Sequence, residues 1–247
     1  MTPRPASLST PFGPVHCSCL EPQDVYRVGY KPEPWNWTPW EYADEGRFSG
    51  RWDDPAGIWR TLYLGSSELA CYLEVLAPFR PDGELAAELA EIVEEEGDEG
   101  SVPPGELDRS WCDERLVCSG RFSGSYALPA HPETLSTLRK RRDFLRLAKA
   151  CGCSDLDASA IRDGKRELTQ AISAWIYTKT GTAGQPADGI EYQSRHGDYL
   201  PLWAVYERDT GHAWPPQVTD RDARPITPDD PSLLEAMRLH NIEWDEE

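Results

Sequence analysis

The sequence predicts an α+β fold, one large domain with terminal extensions. Two observations carry this. Short strand-like runs bounded by glycine and serine, such as Thr61 to Leu64 and Leu200 to Tyr206, alternate with longer segments whose apolar residues recur at helical spacing. At 247 residues, with 10 tryptophans and 10 tyrosines, the chain can bury a substantial core.

Residues 1–22 are rich in proline and serine and are expected to form a flexible or draped arm. Trp35-Asn36-Trp37-Thr38-Pro39-Trp40 places aromatic rings between prolines, where core packing is the simplest use and a lid or partner surface the alternative. Thr61 to Leu64 then reads as a strand ending at Gly65. Ser66 or Ser67 caps a helix in which Glu68 suits the dipole and Leu69, Tyr72, Leu73 and Leu76 form the inner face before Pro78. Glu74 rides beside that face, where a carboxylate is costly without a partner or a task.

An acidic insertion follows over about 82–108. Glu84 to Ile92 reads as a short amphipathic helix or an edge strand, and Glu94-Glu95-Glu96-Gly97-Asp98-Glu99 as a solvated run. Arg115 to Leu128 reads as strands with a turn at Ser123-Gly124, and Pro132 to Cys151 as one helix. Its stripe Arg139-Lys140-Arg141-Arg142, with Arg146 and Lys149 beyond, is expected to be an ion-paired surface, the alternative being a phosphate or partner contact. Lys165 to Thr180 forms a second helix with Leu168, Ile172, Trp175 and Ile176 inward and Gly181 at its end. The loop from Gly181 to Gly189 fits neither a P-loop nor a dinucleotide fingerprint. Leu200 to Tyr206 is a strand, and Ser232 to His240, in a C-terminal extension over 211–247, a short helix expected to dock on or cap the body.

Charge and cysteine usage narrow the function. A net charge of −18 disfavours direct nucleic-acid binding and anionic membranes. No apolar run of spanning length exists, and the N-terminus lacks a signal peptide's apolar core, so a cytoplasmic protein is expected. Seven cysteines fit reduced thiols. Cys17-Ser18-Cys19 and Cys151-Gly152-Cys153 have poor zinc spacing, and no metal is expected. Zinc-protease and serine-hydrolase motifs are absent, and the five histidines are scattered.

The most informative residues lie in Gly50-Arg51-Trp52-Asp53-Asp54-Pro55, Leu62-Tyr63-Leu64, Ser66-Ser67-Glu68-Leu69-Ala70 and Glu74-Val75-Leu76. With Tyr26-Arg27-Val28 near the start, and Gly189-Ile190-Glu191-Tyr192-Gln193-Ser194-Arg195 before Leu200-Pro201-Leu202-Trp203, these resemble the RES domain family, the toxins of RES-Xre toxin–antitoxin pairs. The matches run in order over roughly 24–210, and the RES-like domain is set at 23–210. The chain departs from the compact members in its acidic insertion and its C-terminal extension. A second arginine, Arg47 in Gly46-Arg47-Phe48, competes with Arg51 for the motif position; Gly-Arg-Trp followed by an acid and proline favours Arg51.

The resemblance implies a curved, mostly antiparallel sheet of the ADP-ribosyltransferase type with flanking helices. It also implies a toxin-like enzyme that consumes NAD as substrate, and a cognate antitoxin as partner; a homodimer is left open. The residue chemistry agrees. Splitting nicotinamide from ribose creates an oxocarbenium-like sugar that a carboxylate stabilises, a role suited to Glu74. Arg27 and Arg51 suit the pyrophosphate, because guanidinium forks bind paired oxygens. Tyr63 suits stacking on the nicotinamide ring, and Ser194 suits a hydrogen bond to ribose or carboxamide. The acceptor is water or phosphate; the alternatives are ADP-ribosylation of a protein, and a non-catalytic nucleotide-binding module.

Overall fold

The computed structural model describes residues 4–81, 105–208 and 211–245. Most of the acidic insertion, including Glu84 to Ile92 and the run Glu94 to Glu99, lies outside the described residues.

Two long strands, β2 (Val15–Tyr30) and β5 (Arg115–Ala127), pair antiparallel from Cys17 opposite Ala127 to Tyr30 opposite Arg115. A shorter strand, β1 (Ser7–Leu8), lines the start of β2. The expected flexible arm over 1–22 is therefore sheet in its second half, held by fully buried Leu8 and Val15. The turn expected at Ser123-Gly124 is also absent. Register slips there instead, between Leu20 and Gln23 of β2, where Pro22 has no N–H to give a ladder. The glycine that reads as a turn belongs to a bulge.

β3 (Thr61–Gly65) lies antiparallel to β7 (Pro201–Tyr206), and β7 antiparallel to β6 (Gly189–Gln193). β6 joins the end of β5 in parallel, while β3 touches β2 at Gly65 opposite Tyr26. Pairing thus closes a ring, β2–β3–β7–β6–β5–β2. β8 (Val218–Pro225) extends the outer edge of β5, and β4 (Glu106–Leu107) and β9 (Glu243–Trp244) form a small parallel pair. The protein is thus a mixed α+β fold with a large, mostly antiparallel sheet.

Six helices are found among the described residues: α1 (Glu68–Leu76), α2 (Pro132–Arg139), α3 (Arg142–Ala150), α4 (Ala158–Asp163), α5 (Arg166–Tyr177) and α6 (Pro231–His240). None is long and apolar enough to cross a membrane. The single helix expected over Pro132 to Cys151 is two, because Arg141 is extended and lays its guanidinium over Phe144 and Trp175, 4.2 and 4.9 Å from the ring centres. Much of the basic stripe is tied to the protein: Arg139 pairs with Asp155, Arg141 with Asp143, and Lys140 donates to Phe12 O. Gly181 does not cap α5, which ends at Thr178 before a bridge between Thr180 and Pro186.

Strand alternation sorts the sheet's side chains. Leu62, Leu64, Trp203 and Val205 enter one cluster with Phe122 and Tyr126, covered by Trp35 and Trp37. Trp35 and Trp37 of the Trp-rich segment are core, Trp35 Nε1 donating to Asp222 O and Trp37 Nε1 to His212 O, whereas Trp40 is exposed. Tyr63, Ala204 and Tyr206 face the other way, onto a cluster with Trp52, Trp59 and helices α2 to α5. A third cluster joins α1 to α6 through Tyr72, Leu76, Leu233 and Met237. The C-terminal extension expected over 211–247 is thus part of the body, supplying a sheet strand and the partner of α1.

Candidate functional site

The loop before β3 is built to aim Arg51. Asp53, 6% exposed, accepts the Gly50 N–H on Oδ2 at 2.6 Å and the Tyr63 hydroxyl on Oδ1 at 2.9 Å. The same Tyr63 oxygen accepts the Trp52 N–H at 2.9 Å, so both neighbours of Arg51 are pinned. A Cβ on Gly50 would stand 2.5 Å from both Asp53 Oδ2 and Tyr63 Oη, which explains the glycine. Asp54 closes the following turn by accepting the Ala56 and Ile58 N–H groups, while Trp52 is fully buried.

α1 begins as the sequence predicts, with the Ser67 hydroxyl accepting the Ala70 N–H at 3.1 Å. Its buried residues, Ala70, Cys71, Tyr72, Leu73 and Leu76, leave half-buried Glu74 at the edge of the inner face. Beyond β6, buried Ser194 accepts the His196 N–H at 2.9 Å and donates from Oγ to Glu74 Oε1 at 2.6 Å.

These elements surround a cleft of about 450 Å³ lined by Arg27, Arg51, Tyr63 and Glu74. Ser194 does not line it and meets it only through its hydrogen bond to Glu74. The five residues singled out from sequence therefore converge on one place from β2, the loop before β3, β3, α1 and the end of β6. Arg47 does not join them: it is exposed and pairs with Glu45 at 3.4 Å. Tyr63 is tied down more firmly than a stacking wall requires, since its hydroxyl is spent on the Arg51 loop.

Arg27 lies on the backbone side of Tyr63, donating from Nη1 to Tyr63 O at 3.1 Å and from Nε to Pro34 O at 2.7 Å. Arg51 donates from Nη1 to Gly164 O at 2.9 Å. Neither makes an ion pair with a carboxylate among the described residues. Burial pulls both guanidinium groups below their ordinary pKa; for Arg51 the next cause is the charge of Arg195. An unpaired, partly desolvated cation is held at a cost that an anionic ligand offsets.

Tyr192, Arg162, Arg166 and Arg195 also line the cleft and are not assigned to it from sequence, whereas His196, two residues beyond Ser194, is a residue the sequence allows to face it. Tyr192 shares the face of Ser194 by the two-residue period of β6, and its ring tilts against Trp52 at 5.6 Å. Burial, and next the Glu74 carboxylate, push its phenol well above its ordinary pKa, while Arg51 pulls the other way. Arg162, Arg166, Arg195 and His196 complete the polar wall. The strand period makes Tyr192 legible once Ser194 is chosen, but Arg162 and Arg166 reach the cleft only because α4 and α5 fold over it.

The lining therefore holds five arginines and a single carboxylate, in a protein of net charge −18. Such a site can bind an anionic ligand and present one oriented carboxylate to it. No group of three or more His, Cys, Asp or Glu among the described residues is arranged to hold a metal. No family model matches this chain, and neither does any curated protein or solved structure.

Proposed function

We propose that the protein is a toxin-like enzyme that binds NAD in the arginine-lined cleft and cleaves its nicotinamide–ribose bond. The observation that carries this reading is the single carboxylate, Glu74, oriented by Ser194 in a cleft otherwise lined with guanidinium groups. The resemblance of the motif residues to the RES family supports it, as does their convergence on one cleft.

In this reading Arg27 and Arg51 hold the pyrophosphate. As the C1′–N bond breaks, its electron pair goes to the pyridinium nitrogen and nicotinamide leaves neutral. Positive charge develops on the ribose, and Glu74 stabilises it. Ser194 fixes the carboxylate so that little reorganisation is needed during the reaction. Water or phosphate then attacks C1′ and loses a proton, giving ADP-ribose or its 1-phosphate.

The test is nicotinamide release from NAD by purified protein, with and without phosphate, beside Glu74→Gln. Release should fall by about 100-fold or more in the variant, the scale of losing a group aimed at developing charge. Equal release from both proteins would overturn the role of Glu74. Absence of release from folded protein that binds NAD would favour a binding module, and label transferred from NAD to lysate proteins would favour ADP-ribosylation.

A further inference from the structure

Arg51, Arg166 and Arg195 line one part of the cleft, and the charges of Arg166 and Arg195 are both felt at Arg51. None of the three makes a carboxylate ion pair among the described residues. Arg166 donates to Ser49 O at 3.0 Å, and Arg195 Nε approaches His196 Nε2 at 3.4 Å. Arg162 differs, since it is engaged by Asp198 at 2.9 Å. Arg166 is also the first residue of α5, whose cap, Lys165, provides no side-chain acceptor. A cation at a helix N-terminus opposes the dipole. Arg166 and Arg195 are exposed and each repels Arg51, so the cleft carries positive charge beyond the Arg27 and Arg51 assigned to a pyrophosphate.

Arg27 stands apart from this cluster. It contacts the backbone oxygen of Tyr63, whereas the loop carrying Arg51 is held by the hydroxyl at the other end of that residue.

We propose that Arg166 and Arg195, together with Arg51, form a second anion subsite that takes a dianionic phosphate group. Planar guanidinium forks lining one part of a cleft match the oxygens of a phosphate. Two sources supply that chemistry: the 2′-phosphate of NADP, and free inorganic phosphate bound beside NAD. This inference rests on the reading of the cleft as a dinucleotide site, but its test does not depend on turnover.

The experiment measures binding to the full-length Glu74→Gln protein by calorimetry, using NAD, NADP and inorganic phosphate, with and without Arg166→Gln or Arg195→Gln. If the 2′-phosphate is the occupant, NADP binds about tenfold or more tightly than NAD, and each arginine variant brings that ratio toward one. If free phosphate is the occupant, it binds saturably in the presence of NAD, and each variant weakens it about tenfold. Equal affinity for NAD and NADP together with no saturable phosphate binding would overturn the subsite. So would a preference that survives both substitutions in protein with an unchanged circular dichroism spectrum. Loss of cleavage in the parent enzyme would instead count against the proposed reaction and leave these binding results to stand by themselves.

Discussion

Ser194 Oγ donates a hydrogen bond to Glu74 Oε1 at 2.6 Å, joining the end of β6 to α1 across 120 residues of sequence. The same oxygen accepts the His196 N–H, so the hydroxyl proton is directed at the carboxylate and the loop is held behind it. Ser194→Ala removes both bonds. Glu74 then loses its orientation. We expect kcat for NAD cleavage to fall about tenfold, less than for Glu74→Gln, and stability to fall by about 1–2 kcal/mol as the His196 N–H loses its acceptor. Steady-state kinetics and urea titration check this; unchanged kcat in a destabilised variant would reduce Ser194 to a structural role.

Tyr63→Phe separates the two uses of that residue. The ring remains as a wall of the cleft, but Asp53 and the Trp52 N–H each lose a partner. The loop carrying Arg51 loosens at a cost of about 1–3 kcal/mol. KM for NAD should rise several-fold, with kcat changed less, because Arg51 is assigned to binding the pyrophosphate. A variant with unchanged KM would show that the ring alone matters.

Those contacts explain how far the sequence can be read. Ser67, Thr61 to Gly65 and the helix bearing Glu74 lie close together in the chain, and their caps and periods are local signals. Their spacing places a tyrosine on one strand face and a carboxylate at a helix edge. The meeting of Arg166 and Arg195 with Arg51 is not local: it depends on α4 and α5 folding over the cleft, and nothing in a helix-starting arginine reports that. β8 was missed for a related reason. Its run Thr219 to Pro225 is exposed and polar, so it lacks the alternation that marks a half-buried strand, and it owes its place to the edge of β5.

His196 gives the protein an acid sensitivity of defined sign. Burial, followed by the neighbouring His240 and then Arg195 and Arg80, pulls its imidazole from the ordinary 6.5 down to about 4. The unfolded chain therefore takes up a proton below pH 6.5 that the folded protein refuses until about pH 4. His196 stabilises the fold fully above pH 6.5, and that contribution is lost as pH falls toward 4. In His196→Asn the drop in melting temperature between pH 7 and pH 4.5 should shrink, and identical slopes for the two proteins would count against the assignment.

The cleft also depends on a helix far from it in sequence. α6 is capped by Asp230, whose Oδ1 accepts the Ser232 and Leu233 N–H groups, and whose Oδ2 pairs with Arg224 at 2.6 Å. Its inner residues Leu233, Ala236 and Met237 pack against α1. At its end His240 Nε2–H donates to Leu73 O, one residue before Glu74, at 2.8 Å, and its ring stands edge-on to His196 at 5.0 Å. Leu233 is fully buried, so Leu233→Ala leaves a cavity under α1 and should cost about 2–5 kcal/mol. Because α1 carries Glu74, cleavage should fail at a lower temperature in the variant, while the rate at 25 °C stays close to that of the parent. Chemical denaturation showing a loss below about 0.5 kcal/mol, the scale of an ordinary surface substitution, would mean that α6 does not brace the helix that carries the carboxylate.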